Sequence, residues 1–343
     1  MNSKKHIIFI VNPISGTHSK EFILHLIDKG IDRDQYDYTV RQTEYAGHAT
    51  EIARQAAEAK TDIVVAIGGD GTINEIGRAL IHTDTALGII PCGSGNGLAR
   101  HLHIPMNARS AIETLNRGFI KTIDYGIINQ HPFFCTCGVG FDAFVSLKFA
   151  DSGKRGPLTY LENTLHESLT YRPETYEIEN ELGTVRYKAF LIACANASQY
   201  GNNAYIAPQA SLTDGMMDIT ILEPFTVLDV PALSFQLFNK TLDQNSRIKT
   251  MKEKKITIHR RNEGVFHFDG DPMIGGKDLV VEVVHRGLKV IAPEKRLTSE
   301  EPFSVLQHFT DFFGTKPLAS TIAEKHKKLL QLNQNLLRRL SKQ

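Results

Sequence analysis

The residues best suited to chemistry lie in short glycine-bearing stretches. In VVAIGGDGTINEI, Val64 to Ile76, Gly68, Gly69 and Gly71 surround Asp70, and an apolar run gives way to a helical pattern. Ordering a glycine costs about 0.5–1 kcal/mol more than ordering alanine in regular structure, so a loop that carries three needs backbone room. Thr72 and Glu75 have the spacing of a capping box, and Ile73, Ile76, Leu80 and Ile81 supply a helical apolar face. The order strand, Gly-Gly-Asp-Gly, helix N-terminus turns backbone amides and the helix dipole toward one point, which makes an anion site. Two further loops have the same form: Asn12-Pro13-Ile14-Ser15-Gly16-Thr17 after the first strand, and Pro91-Cys92-Gly93-Ser94-Gly95-Asn96-Gly97 after LGII. In an open parallel sheet all three gather beyond the carboxyl ends of the strands, where ligands bind. Singly each is an ordinary tight turn; three at successive strand ends predict a phosphate site.

Missing motifs narrow the ligand. The chain has no G-x-x-x-x-G-K-[ST] and no G-x-G-x-x-G, so neither a P-loop nor the usual dinucleotide site is expected. H-E-x-x-H and G-x-S-x-G are also missing, which removes the zinc-protease and serine-hydrolase readings. Phosphoryl transfer needs Mg²⁺, positioning and a base near the accepting hydroxyl. Carboxylates in tight turns are the candidates: Asp70, Asp124 in TIDYG, Asp214 and Asp218 in LTDGMMD, and Asp269 and Asp271 in FDGD. Asp-Gly pairs are also common turn formers.

Two halves of different grammar must position these groups. Residues 1–125 alternate short β-rich runs (IIFIV, YTVRQT, DIVVAI, LGIIPCG) with helical patterns, which predicts an α/β domain with an open, mainly parallel sheet. Residues 126–293 hold many short runs separated by turn residues such as Glu181-Leu182-Gly183 and Arg286-Gly287, which predicts an antiparallel β-sandwich. Helical material is inserted at Asp142 to Tyr171, and residues 294–343 read as a helical extension. Within it Ile322, Leu329, Leu336 and Leu340 fall near one face among lysines and arginines. Such a helix suits an anionic membrane surface; the same face also suits packing on its own protein or on a second subunit, so a homodimer stays open.

The 343 residues carry a formal net charge of +1, so no global field argues for nucleic acid as partner. No apolar run approaches the ~18–20 residues of a membrane span, and the start lacks a signal-peptide pattern. Cys92, Cys135, Cys137 and Cys194 match no zinc spacing and read as buried free thiols in a reducing compartment. A cytoplasmic location is expected.

The set Asn12-Pro13-x-Ser15-Gly16, Gly68-Gly69-Asp70-Gly71-Thr72, Pro91-x-Gly93-Ser94-x-Asn96, Leu212-x-Asp214-Gly215-x-Met217-Asp218 and Asp269-Gly270-Asp271 resembles the diacylglycerol kinase catalytic-domain family, which includes soluble bacterial lipid kinases and the sphingosine and ceramide kinases. The motifs occur in order from about Lys5 to Pro293. The resemblance implies ATP and Mg²⁺ as cofactors, a cleft between an N-terminal nucleotide domain and a C-terminal sandwich, and a lipid alcohol met at the inner face of a membrane. It implies that Asn12, Pro13, Ser15 and Gly16 touch the nucleotide phosphates and that Thr43 lies on the adenosine side. Gly68, Gly69, Asp70, Gly71, Thr72, Asn74 and Glu75 would line the triphosphate, with Gly93, Ser94 and Asn96 opposite. Asp214, with carbonyls near Ser211 and Met216, corresponds to the family's Mg²⁺ site, and Asp70 and Asp124 would join its carboxylate and water network. Asp269 is placed like the general base, a role given to the loop aspartate, here Asp70, in related kinases. The family's last motif commonly reads Asp-Gly-Glu; here Asp271 is one methylene shorter.

Diacylglycerol leads among acceptors on family frequency, with a sphingoid base or ceramide as alternatives. A soluble-metabolite kinase, such as one acting on NAD, or a non-catalytic nucleotide-binding regulator are the readings from other classes. Phe133, Phe134, Phe141, Phe144, Val145, Leu147, Tyr160 and Leu161 could line an acyl groove, although such residues more often build core.

Overall fold

Apolar runs too short to span a helix become the centre of a parallel sheet. In the computed structural model, which describes residues 4–16, 19–152, 171–226 and 228–294, the strands β1 (Lys5–Val11), β2 (Tyr36–Gln42), β3 (Ile63–Gly68) and β4 (Ala86–Pro91) pair in parallel in the order β2-β1-β3-β4. Every residue of β3 and β4 is buried, because helices cover both faces, as βαβ crossovers require. Helix α1 (Lys20–Gly30) packs on α5 (Ala108–Arg117), and α2 (His48–Glu58) packs on α3 (Asp70–Leu80). A five-residue helix, α4 (Gly97–His101), follows the third glycine loop.

The second half is antiparallel. Strands β7 (Thr136–Gly140), β10 (Leu191–Ala195), β11 (Met217–Leu222), β12 (Ile248–Glu253), β14 (Gly264–Phe268) and β15 (Asp271–Gly275) form one sheet in the order β12-β11-β10-β7-β14-β15. Its inner face, with Cys137, Val139, Ile192, Cys194, Ile219 and Phe266, packs on Ile256, Ile258, Leu279 and Val281 of the other sheet. Its outer face is small, with Gly138, Gly140, Ala193 and Ala195, and α6 (Phe141–Ser152) lies over it together with Phe190 and Ile206. All four cysteines are unpaired and buried, as expected.

The seam between the halves differs from the sequence reading. The expected boundary at 125 falls inside β5 (Phe119–Ile128), and the last described strand, β16 (Asp278–Ala292), joins both halves. Along one edge β16 pairs with β5. Its other edge is divided, with β13 (Lys255–Arg260) beside residues 278–282 and β4 beside Val290. Beyond β13 the sheet continues into β8 (Glu174–Asn180) and β9 (Gly183–Ala189), and the short β6 (His131–Phe133) pairs with β5. One sheet therefore runs from the first half into the sandwich.

Arg286-Gly287, read from sequence as a turn, is instead a bulge within β16: the register with β5 shifts between Val284 and Leu288. Arg286 has φ +56°, and a Cβ on Gly287 would stand 2.2 Å from the Tyr125 ring. The expected turn at Glu181–Gly183 does join β8 to β9. Of the inserted helical material, α6 is described, while residues 153–170 and the tail helix lie outside the described residues. No helix among the described residues is long and apolar enough to cross a membrane.

Because β16 covers edges of both β4 and β5, a fragment of residues 4–128 leaves ladder groups and apolar surface open. Such a fragment should show no cooperative thermal transition by circular dichroism, where the whole chain does. A transition at the full chain's Tm would mean that β16 is dispensable to the first half.

Candidate active site

The three glycine loops meet as expected, and contacts between backbones explain why glycine is needed. A Cβ on Gly16, whose φ is +63°, would lie 1.8 Å from the Cys92 carbonyl oxygen. One on Gly93 would lie 2.7 Å from the Gly69 Cα, so the second and third loops touch main chain to main chain. Asn12 ties the first loop to the second: its Nδ2 donates to Thr72 Oγ1 at 3.0 Å, and its carbonyl accepts from Ser15 Oγ at 2.9 Å. Thr43, at the end of β2, donates its backbone N–H to the Val11 carbonyl at 2.9 Å, next to that loop. Pro13 and Ser94 are exposed on the same rim.

Helix α3 starts at Asp70, two residues before the expected capping box. Its cap is Gly69, which offers no side chain to the first turn; Thr72 is instead inside the helix, buried, and engaged by Asn12. Glu75 lends its carbonyl to Thr50 Oγ1 at 3.2 Å, and Asn74 is buried. The uncapped first-turn amides are left for an external acceptor. A Cβ on the exposed Gly71 would meet nothing within 4 Å, so the space above this turn is open to an anion.

Asp70 itself turns away from that space. Its Oδ1 accepts the Gly97 amide at 2.7 Å and its Oδ2 the Asn96 amide at 2.8 Å, which anchors the third loop to the second. Asn96, at φ +53°, closes the loop with Oδ1 on the Gly93 amide and Nδ2 on the Gly93 carbonyl. Burial pushes the Asp70 carboxyl above its usual range, against the pull of those amides and of Arg100.

Asp269 is held in a comparable cradle. Asp269 and Gly270, at φ +52° and +86°, form the two-residue turn of the β14–β15 hairpin, a conformation that Asp-Gly suits. The turn lays the carboxylate on three amides: Phe134 at 2.8 Å, Cys135 at 2.7 Å and Thr136 at 3.2 Å. Burial raises this carboxyl too, with the amides and Arg78 opposing. The cradles lie side by side, since a Cβ on Gly97 would stand 3.2 Å from Cys135 Sγ. Gly97 donates to Asp70 and Cys135 donates to Asp269, so the glycine loops and the Asp269 turn share a wall.

Asp124 is fully buried. Its Oδ2 accepts the Gly215 amide at 2.8 Å; its Oδ1 accepts the Arg286 amide at 2.7 Å and lies 2.8 Å from His285 Nδ1. The β16 bulge therefore delivers donors to this carboxylate, and Asp124 fastens the Asp214 loop to the sheet. Asp214 accepts the Met216 amide at 3.1 Å, and Lys252 Nζ stands 3.1 Å from both Asp214 Oδ2 and Asp218 Oδ2. Among the described residues no cluster of three or more acid, histidine or cysteine side chains is arranged around a metal position. The carboxylate of Asp214 is a hard-oxygen donor of the kind Mg²⁺ takes while keeping several waters, and a cationic ammonium, that of Lys252, sits against it.

Sequence reasoning missed several connectors. Asn196, fully buried, donates from Nδ2 to the carbonyls of Asp124 and Phe134, at 3.0 and 2.9 Å, joining the Asp124 site to the Asp269 cradle. A lone amide inside the apolar run Cys194-Ala195-Asn196-Ala197 was the available signal. Arg78 reaches the Asp269 turn from α3, with Nη1 and Nη2 each 3.3 Å from Asp271 Oδ2. Buried His267 and Asp142 pair at 3.1 Å, and Tyr200 donates to the same Asp142 oxygen at 3.3 Å.

Asp70→Asn would face an amide donor with the Asn96 or Gly97 donor, and a buried group left unmatched costs about 1–3 kcal/mol. The expected outcome is a loss of stability of that order in denaturant melts together with weaker nucleotide binding. An unchanged midpoint would mean that Asp70 does not brace the loops.

Comparison with known proteins agrees with this architecture. Residues 6–128 match the diacylglycerol kinase catalytic domain, and residues 135–292 match the YegS C-terminal NAD kinase beta sandwich-like domain. The chain is 27% identical over 295 residues to a protein of Bacillus subtilis named diacylglycerol kinase, covering 84% of this chain and 96% of that one. It is 29% identical over 279 residues to a Klebsiella pneumoniae protein named probable lipid kinase YegS-like, covering 80% and 91%. The crystal structure of a putative diacylglycerol kinase from Bacillus anthracis superposes with a TM-score of 0.69 at 21% identity, over 86% of this chain and 99% of that one. The two matched regions meet where the glycine loops face the Asp269 turn, and residues 6–128 belong to the diacylglycerol kinase catalytic-domain family.

Proposed function

We propose that the chain transfers the γ-phosphoryl group of ATP to the hydroxyl of a lipid alcohol, with diacylglycerol as the leading acceptor and phosphatidic acid as product. The observation that carries this reading is the shared wall: Gly97, which holds Asp70 at the start of α3, stands against Cys135, which holds the carboxylate-bearing Asp269 turn. The first-turn amides of α3 and the exposed Ser94 take the phosphate oxygens, with Asn12 and Ser15 shaping the loop beside them. Mg²⁺, held at Asp214 with the carbonyls of Ser211 and Met216, would supply charge neutralisation for the phosphates. The proposed setting is the inner face of a membrane, where the acceptor is available.

The alcohol must lose its proton as it attacks phosphorus, and a carboxylate within hydrogen-bond reach takes it. Asp269 is the proposed acceptor. Three amides occupy three of its roughly four lone-pair positions, leaving one on Oδ2, and burial makes it more basic than an exposed aspartate. Asp271 is a second candidate because its side chain is 57% exposed on the same turn and engages Arg78 through one oxygen. A base works deprotonated, so the rate should fall as pH drops through the raised pKa of Asp269, above 3.8.

The test is phosphate transfer from labelled Mg-ATP to a panel of lipid alcohols in mixed micelles, run beside soluble acceptors such as NAD. Asp269→Asn should lose kcat by about 10²-fold or more while keeping nucleotide affinity, and Asp271→Asn should lose less. The reverse ranking would move the base to Asp271. Labelling only of a soluble acceptor would replace the lipid reading, and ATP binding without turnover would make the chain a nucleotide sensor.

A further inference from the structure

Helix α3 carries the phosphate loop at one end and, near the other, a guanidinium directed at the opposite half. Arg78 stands eight residues after Asp70, about 12 Å along the axis at 1.5 Å per residue. Its Nε donates to the Pro132 carbonyl at 3.1 Å, its Nη1 and Nη2 donate to Asp271 Oδ2 at 3.3 Å, and its Cζ lies 4.9 Å from the centre of the Phe268 ring. These three partners frame the Asp269–Gly270 turn. Phe268 and Asp271 are the residues that pair across it, and Pro132 lies two positions before Phe134, whose amide holds Asp269. The Arg78 side chain is only 23% exposed.

An ion pair with one exposed partner is worth roughly 0–1 kcal/mol, so stability is a weak reason for this arrangement. Geometry is a stronger one. A planar fork wedged between a carbonyl, a carboxylate and a ring face has a single fitting orientation. We propose that Arg78 is a positioning residue for phosphoryl transfer, pinning the Asp269–Gly270–Asp271 turn to the helix that carries the phosphate loop. The inference rests on the kinase reading above. Catalysis by positioning requires donor and base at a fixed separation, and misplacement by about 1 Å can cost 10²-fold. A continuous helix holds that separation better than the loops at its ends, and Arg78 is the group through which α3 grips the turn.

Steady-state kinetics on the full chain with the acceptor found for wild type would test this, using Arg78→Met, Arg78→Lys, Asp271→Asn and the Arg78→Met/Asp271→Asn double variant. Methionine keeps an apolar stem over Phe268 and removes the fork. The expected result for Arg78→Met is a kcat lower by about tenfold or more with the KM for ATP within about threefold. Lysine should restore part of the loss, and the double variant should lose less than the product of the single losses. Thermal melts of each variant separate positioning from folding. Wild-type kcat in Arg78→Met, losses that only track a falling Tm, or fully multiplicative losses would overturn the assignment. An active wild type with an indifferent Arg78 defeats this inference alone; a wild type that labels no acceptor removes the kinase reading and this assignment with it.

Discussion

The architecture of the site depends on the carboxylate of Asp70 and the two amides it accepts from Asn96 and Gly97. The second and third loops leave adjacent parallel strands whose ladder ends with the Cys92 amide donating to the Gly68 carbonyl at 2.8 Å. The Asp70 bonds carry the contact on beyond the sheet, where Gly69 and Gly93 touch backbone to backbone. That closeness fixes the residue types around it: a side chain at Gly93 would strike Gly69, and one at Gly95 would strike Asp70 itself. Holding an anion in a buried position is unfavourable unless it is hydrogen-bonded, and here the two amides and the positive charge of Arg100 offset part of the desolvation. The same bonds seat Gly97 against Cys135, so the cradle of Asp269 is registered to the glycine loops through Asp70.

Local features of this arrangement were legible in the sequence. Glycine clusters after apolar runs located all three loops, and the period of Ile73, Ile76 and Leu80 gave the buried face of α3. Helix caps were harder to read. Thr72 and Glu75 have capping-box spacing, but the glycine before Asp70 takes the cap because the chain must pass close to Gly93, which is a demand set by another loop. Arg286-Gly287 looks like a turn for a similar reason. Its left-handed residue serves a bulge whose purpose, presenting the Arg286 amide to Asp124, lies 162 residues away.

Connectors were illegible because their identity is ordinary until the fold brings them together. Asn196 reads as a polar interruption of a strand, and Arg78 as the solvated side of a helix. Both acquire meaning from partners far along the chain, Asp124 and Phe134 in one case and Asp271 in the other. Asp70 and Asp124 were recognised as important from their neighbours, yet their visible work is to accept backbone amides. A carboxylate in a glycine turn can signal loop architecture as readily as reaction chemistry.

The passage of β16 through both halves has a mechanical meaning. Kinases whose lobes are joined by a flexible strand close over their substrates by swinging about that hinge. Here the joint is a ladder of hydrogen bonds, with β5 along one side of β16 and β13 and β4 sharing the other. Rotation of one half against the other would have to break that ladder, so backbone hydrogen bonds as well as side-chain packing oppose relative motion of the two halves.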